Sequence, residues 1–363
     1  MSRLRVGFLV PQLSRTGGTE TWHQILIRSL KDHPEIEVVG LGVVEDHPTH
    51  EEIRPFEDLG CFVGRCPSEV SGIIQESHIL ITWGMGDLEF IQKSSDVARV
   101  TMVAHGDGQF PEFVQANHDA SPWVDQYVAV SQAALEAIPE DRREDATVIC
   151  NGVNEDRLVP RITRVGQRDL WGIPQGARVL GMVCRASQEK DPKALIRAIS
   201  NLPDYWYGVL VGDGPELLNC AASAYGQTTR CFFPGAQEDI GSAYLAMDCL
   251  LSASLSEGFG YSALEAMILG LPVVATPVGI LRDAEKSHAC PVEIVPVHSP
   301  GNLLAQAVER AAIKITNEQG QNLLRFASLT VKTSYSAETF CRKWTDYLLR
   351  LPCKNRALSS TAP

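Results

Sequence analysis

Glu257 and Glu265 stand eight positions apart in the stretch CLLSASLSEGFGYSALEAMILGLPVVAT, which runs from Cys249 to Thr276. Gly258 and Gly260 lie between them. Glycines at a helix entrance keep side chains away, so that backbone N–H groups can face a ligand, and the helix dipole favours negative charge there. A loop of this kind suits an anion, whereas carboxylates in the same crevice suit hydroxyl groups. A sugar nucleotide offers both: sugar hydroxyls at one end, ribose hydroxyls at the other and a diphosphate between.

These side chains need elements to hold them. Cys249 to Ala253 reads as a buried strand, Ala263 to Leu269 as a helix with Gly270 at its stop, and Pro272 to Ala275 as the next strand. Arg185 and Lys190, five apart, follow the predicted strand Arg178 to Val183, and His105 directly follows the predicted strand Arg99 to Ala104. The carboxyl ends of strands are where open α/β sheets bind ligands. The chain opens with a strand, Arg3 to Val10, a turn at Gly17-Gly18, and a helix in which Trp22, Ile25, Leu26 and Leu30 recur at helical spacing. This unit does not match GxGxxG, so a dinucleotide fingerprint is not supported. Further strands are expected at Glu37–Val44, His78–Thr82, Gln126–Val130, Tyr207–Val211, Cys231–Phe233 and Val292–Val295, with a helix capped by Ser131 after the third of these. Helices are expected from about Gly301 and Glu318, and an amphipathic one over Tyr335–Leu351. Alternation of strands and helices predicts parallel sheets covered on both faces.

The spacing Glu257-x7-Glu265 within SEGFGYSALEA resembles the signature of retaining GT-B glycosyltransferases of family 4, the group 1 type. The resemblance covers nearly the whole chain, with its specific motifs in the second half. It implies an α/β fold of GT-B type, two Rossmann-like domains facing across an interdomain cleft. It also implies that Glu257 contacts the donor sugar, that Glu265 binds the ribose, and that Gly258, Phe259 and Gly260 shape the donor loop. By the same resemblance, Arg185 and Lys190 would neutralise the leaving diphosphate as its charge grows, which can supply catalysis without a metal. His105 would hydrogen-bond the donor sugar, and the backbone at Gly235, Ala236 and Gln237 would face the base, with Tyr244 on the helix behind. The GGTE run resembles the family's first loop, where Gly17 and Gly18 would let the first domain approach the donor phosphates or the acceptor. Two positions depart from the family pattern: Cys184 stands where Gly is usual, and Asp191 follows Lys190 in place of Gly.

At 363 residues the chain suits two domains, each with its own core. The expected division is 1–165, 166–335, a helix over 336–351 that crosses back to the first domain, and a mobile tail over 352–363. Asn151-Gly152 is a turn signal similar to the family's "NGVD" turn, and the charged stretch Asn154 to Arg168 is expected to be a linker without a core element. Phe233 reads as core rather than as a stacking platform. The ten cysteines show neither CxxC nor metal-ligand spacing, which predicts buried free thiols. No apolar run approaches a membrane span and the start lacks a secretory cleavage pattern, so a cytoplasmic protein without stable membrane insertion is expected.

The net charge of −12 is uneven: residues 1–170 hold 15 Lys+Arg against 27 Asp+Glu, and the remainder balances. An acidic half disfavours nucleic acid and anionic membranes as partners. Neither a Lys/Arg cluster nor a basic amphipathic helix is apparent in that half, so a small soluble acceptor is expected, with a cationic amino-sugar natural product as one form. The sequence has no DxD triplet, the usual carboxylate cradle for a divalent ion in the other major glycosyltransferase fold, and no metal or other cofactor is expected. The expected activity is transfer of a sugar from a nucleotide donor to an acceptor hydroxyl, with retention and without a covalent nucleophile. The same fold also accommodates a nucleotide-sugar epimerase or a non-catalytic nucleotide-sugar-binding protein.

Overall fold

The computed structural model describes residues 3–14, 17–44, 47–83, 88–108, 111–282 and 292–352, the side chains of 111–113 excepted. The chain divides into two units, Met1–Gly152 with Phe340–Pro363, and Val153–Thr339. Among the described residues each carries a single parallel sheet.

In the first unit the strands are β1 (Leu4–Val10), β2 (Ile36–Val43), β3 (Val63–Gly64), β4 (Ile79–Trp83), β5 (Arg99–Ala104), β6 (Gln126–Ala129) and β7 (Thr147–Val148). Their order is β3-β2-β1-β4-β5-β6-β7, all pairs parallel. The strands are near-continuous apolar runs because helices cover both faces of such a sheet. The helix Gly18–Lys31 buries Trp22, Ile25, Leu26 and Leu30. The helix Ala337–Arg350 contributes Phe340, Trp344 and Leu348, one turn apart and all buried, with Trp344 edge-on to Trp22 at 5.3 Å.

The second unit has β8 (Arg178–Val183), β9 (Trp206–Val211), β10 (Cys231–Gly235), β11 (Cys249–Ser252), β12 (Val273–Ala275) and β13 (Glu293–Ile294). The order β10-β9-β8-β11-β12-β13 reverses direction between β8 and β11, and at such a switch point the loops leaving the strand ends open a crevice. The core beneath it includes Leu180, Leu195, Ile199, Trp206, Leu251 and Val308, with Phe233 packed against it.

Two segments differ from the sequence expectation. The helix after Ser131 is only a 3-10 turn, Ala133–Ala137. Ser131 Oγ does accept from the Ala134 N–H at 3.1 Å, but Ile138 precedes Pro139 and is extended, which stops the helix early. The units part at Gly152/Val153, ahead of the expected 165/166. The reason is that the stretch read as a linker is built into the second unit. It forms a 3-10 turn, Glu155–Leu158, and a helix, Arg164–Trp171, whose N-cap Thr163 accepts from the Gly166 N–H. Arg168 of that helix is buried, donates to the Ala246 and Ala177 carbonyls, and pairs with Asp248 at 2.7 Å, where Arg164 also binds at 2.6 Å. The tail beyond residue 352 lies outside the described residues.

Candidate functional site: the strand ends of the second unit

The loop leaving β8 turns back at Lys190. Its backbone is laced to neighbouring loops: the Ala186 N–H donates to the Asp213 carbonyl at 2.8 Å, and the Leu255 N–H donates to the Glu189 carbonyl at 2.7 Å. The second bond draws the loop leaving β11 against the loop leaving β8. Lys190 Nζ thereby lies 2.8 Å from Glu257 Oε1, which also accepts from Ser254 Oγ at 2.8 Å. Burial opposes the Lys190 charge, but the adjoining carboxylate outweighs it and pushes the ammonium's pKa up. The turn is fixed by Asp191, which is left-handed at φ 43° where the family has glycine. Its carboxylate takes both guanidinium nitrogens of Arg197, at 3.1 and 2.5 Å, so an ion pair holds the backbone that glycine would otherwise permit. Arg185 is exposed, and among the described residues its guanidinium has no partner.

Glu257 opens the loop that Gly260 closes. Gly260 caps the helix Tyr261–Ile268 with φ 102°, a conformation that side-chain-bearing residues rarely adopt. The loop leaving β12 supports it, since the Ile280 N–H donates to the Phe259 carbonyl at 2.8 Å. A Cβ on Gly279 would lie 2.6 Å from that carbonyl oxygen and 2.9 Å from Glu257 Cβ. Phe259 itself is buried, edge-on to Tyr261 at 5.3 Å and Tyr335 at 5.9 Å. Its ring packs behind the loop, and Gly258 and Gly260 on either side of it are buried as well.

Glu265 lies one turn deeper and is 3 % exposed. Tyr244 OH donates to its Oε2 at 2.8 Å, and Arg157 Nε lies 3.5 Å from its Oε1. Burial pushes the carboxyl's pKa up against the pull of Arg157 and Tyr244, and the net direction is upward. The Tyr244 hydroxyl is pushed well up by burial and by that carboxylate. At the end of β10, Gly235 is left-handed at φ 77°, Ala236 is exposed, and the Gln237 amide folds back onto the Pro234 and Ala236 carbonyls, both at 3.2 Å. Among the described residues no group of three or more His, Cys, Asp or Glu is placed to hold a metal.

The first unit presents a different set at its strand ends. Gly17 precedes the helix Gly18–Lys31, and the Glu20 carboxylate folds over that entrance. It accepts from Ser14 N–H and Oγ at 2.9 and 2.8 Å and from Thr19 Oγ1 at 3.0 Å. A negative side chain therefore stands where the resemblance placed a phosphate or acceptor beside Gly17 and Gly18. His105 leaves β5 into a ring cluster, 5.1 Å from Trp22, 5.8 Å from Trp83 and 6.5 Å from His23. Its Nε2 is buried without a hydrogen-bond partner among the described residues, and burial, then His23, push its pKa well down. His23 is buried as well, its Nδ1 2.8 Å from the Thr19 carbonyl oxygen, and burial brings its pKa to about 4 despite that hydrogen bond.

Residues 166–318 match the family described as glycosyl transferases group 1. The matched residues lie within the second unit. The chain is 34% identical over 145 residues to the 2-deoxystreptamine glucosyltransferase of Streptomyces kanamyceticus, covering 38% of each chain. It is 27% identical over 223 residues to a D-inositol 3-phosphate glycosyltransferase of Mycolicibacterium smegmatis, covering 58% of this chain and 50% of that one. The matched regions thus span from about a third to a half of these curated relatives. In structure the chain is similar to Anabaena HepE solved with UDP-glucose, with a TM-score of 0.79 at 20% identity, over 96% of this chain and 100% of that one. That likeness gives the fold, a two-domain α/β architecture of GT-B type.

Within the matched region, the structure brings Lys190 to Glu257 and places Glu265 behind them, while Arg185 stays unpaired among the described residues. Sequence reading missed Arg157, Asp191 as a fixed left-handed residue, Arg197 and Gly279. Local signals existed only for Gly279, a glycine shortly after the strand β12, and for Asp191, which stands where the family has Gly.

Proposed function

We propose that the chain is a retaining glycosyltransferase that moves a hexose from a nucleotide sugar to the hydroxyl of a small acceptor. The observation that supports this most is the Lys190–Glu257 pair at 2.8 Å, which puts a cation and a hydroxyl acceptor at the switch point of the group 1 domain. In the reaction the bond from the anomeric carbon to the diphosphate oxygen breaks and a bond to the acceptor oxygen forms on the same face. The acceptor's proton passes to the departing phosphate oxygen, which leaves a glycoside and a nucleoside diphosphate. Lys190, Arg185 and the helix entrance at Gly260 stabilise the charge that grows on the leaving group, so that no metal is required. Glu257 orients the sugar and Glu265 the ribose.

The acceptor is proposed to be a polyol, and the charge of the first unit favours one that carries amines. That unit holds 16 Lys+Arg against 25 Asp+Glu. The relative named for 2-deoxystreptamine makes this the first acceptor to test, and the one named for D-inositol 3-phosphate supplies an anionic comparison. Incubation with UDP-glucose and each acceptor in the presence of a chelator, with the anomeric coupling read by NMR, tests the reading. An α-linked product from 2-deoxystreptamine, with an acceptor KM that rises with salt, is expected. Sugar isomerisation without acceptor, or an inverted product, would overturn it.

A further inference from the structure

Glu265 is the most deeply placed charge of the candidate site, and what surrounds it was not legible in the sequence. On its own helix, Tyr261 lies one turn earlier with its hydroxyl buried and without a hydrogen-bond partner among the described residues. From the helix Ile240–Ala246, Tyr244 OH donates to Oε2. From the turn Glu155–Leu158, Arg157 Nε approaches Oε1 at 3.5 Å. Lys332 of the helix Glu318–Ser334 is engaged by Glu155 at 3.0 Å. Among the described residues the cation paired with Glu265 is Arg157.

The turn that carries Arg157 is held on several sides. Asn154 caps it by accepting from the Asp156 N–H at 3.1 Å, and Leu158 is buried. A Cβ on Gly241 would lie 2.5 Å from the Leu158 carbonyl oxygen, so the turn rests directly on the helix that bears Tyr244. Just before it, the Val153 N–H donates to the Tyr335 carbonyl at 2.7 Å and the Ala337 N–H donates to the Val153 carbonyl at 3.2 Å. These contacts fix the Arg157 backbone against the helix of Tyr244 and the backbone at Tyr335 and Ala337.

We propose that Arg157 is a positioning residue that holds the buried Glu265 side chain as a charged, two-oxygen acceptor for the vicinal hydroxyls of a nucleoside. A carboxylate has about four acceptor sites. Tyr244 uses one on Oε2 and Arg157 faces Oε1, so each oxygen keeps room for one ligand hydroxyl. A buried carboxyl without its cation takes up a proton more readily, and the protonated group offers one donor where the diol needs two acceptors. The turn's attachment to the Tyr244 helix sets the angle from which Arg157 meets Oε1, and with it the plane of the carboxylate. This inference rests on the reading of Glu265 as the ribose acceptor.

The test titrates UDP, GDP and ADP calorimetrically into the full-length chain between pH 5 and 9, for the wild type, Arg157→Ala, Arg157→Lys, Glu265→Gln and the double variant. In parallel, the Glu265 carboxyl carbon is followed by NMR in glutamate-labelled protein without ligand and assigned by its loss in Glu265→Gln. Arg157→Ala is expected to weaken the nucleotide that binds by about tenfold at neutral pH. It should also move the acid limb of affinity and the Glu265 titration upward by about one pH unit. Arg157→Lys should restore most of both, and Arg157→Ala should cost nothing further in the Glu265→Gln background. An unchanged pH profile, or an equal loss in the Glu265→Gln background, would overturn the proposal, the latter by making Arg157 a direct ligand contact. If no nucleotide binds the wild type, the ribose reading falls. The carboxyl titration still decides the Arg157–Glu265 part, which an unshifted Glu265 in Arg157→Ala would overturn.

Discussion

The two units place their chemistry at the same address and fill it with opposite materials. Each has a parallel sheet with a direction switch, between β1 and β4 in the first unit and between β8 and β11 in the second. At the second, carboxylates meet cations, Glu257 with Lys190 and Glu265 with Arg157, while at the opposite, amino end of β11 Asp248 pairs with Arg164 and Arg168. At the first, neutral rings pack edge to face, with His23 and His105 among Trp22, Trp83 and Trp344. Topology determines where a ligand can bind, and side chains determine what is recognised there. A unit lined with ion pairs suits a charged, hydroxyl-rich donor. A unit whose strand ends carry uncharged rings beside the single Glu20 carboxylate can offer ring faces, ring nitrogens and one charged acceptor of hydrogen bonds.

If the second unit depends on its ion pairs, breaking one must cost more than polishing any ring contact. The largest expected effect is at Asp248. Arg168 has a side chain only 3% exposed, and Asp248→Leu would leave its guanidinium buried with carbonyl partners alone. Removal of one partner of a buried pair costs about 3–5 kcal/mol. A urea midpoint that moves by less than the equivalent of about 1 kcal/mol would show that the pair is screened and the contrast between the units overstated.

Next in size is turnover. Lys190→Ala and Arg185→Ala are expected to lower kcat by about 10²–10³ while donor affinity changes less, because the charge they meet grows in the transition state. Steady-state kinetics set against donor Kd checks this. Equal losses in both would reduce the two residues to ground-state binding.

The rings of the first unit respond to pH instead. His23 has a folded pKa of about 4, below its ordinary value near 6.5, because burial favours the neutral ring. The unfolded chain therefore binds a proton that the folded chain refuses, and stability is lost as pH falls from about 6.5 to about 4, by up to about 3 kcal/mol. His105, whose pKa is also depressed, acts in the same direction. Thermal midpoints of the wild type and His23→Leu between pH 7 and 4.5 read the difference. Parallel curves would mean that His23 takes up its proton in the folded state.

The sequence was most legible where the signal is local. Apolar runs placed β5 and β8 with the same bounds the structure has, Arg99–Ala104 and Arg178–Val183, and the Glu-Gly-Phe-Gly loop pointed to the family whose model matches residues 166–318. What it hid depends on partners distant in the chain. Arg168 and Asp248 are 80 positions apart, and no spacing rule links them, so the segment around Arg168 looked like a charged linker. Arg157 was invisible as a partner of Glu265 for the same reason. Glu20 was read only as part of a glycine turn, although its carboxylate fills that turn's helix entrance. His23 sits on the buried face of its helix beside Trp22, and periodicity marks such a residue as core without showing that its ring is held neutral.

The proposed donor site requires the second unit to hold a nucleotide sugar through buried side chains rather than through a bound ion. Calorimetric titration of the nucleoside diphosphate into the wild type and Glu265→Ala, both in chelator, tests it most directly. The account predicts binding to the wild type without metal, weakened in Glu265→Ala by about 1.5–3 kcal/mol through loss of a hydrogen bond to a charged group. Unchanged affinity in the variant, or binding that appears only when Mg²⁺ or Mn²⁺ is restored, would contradict it.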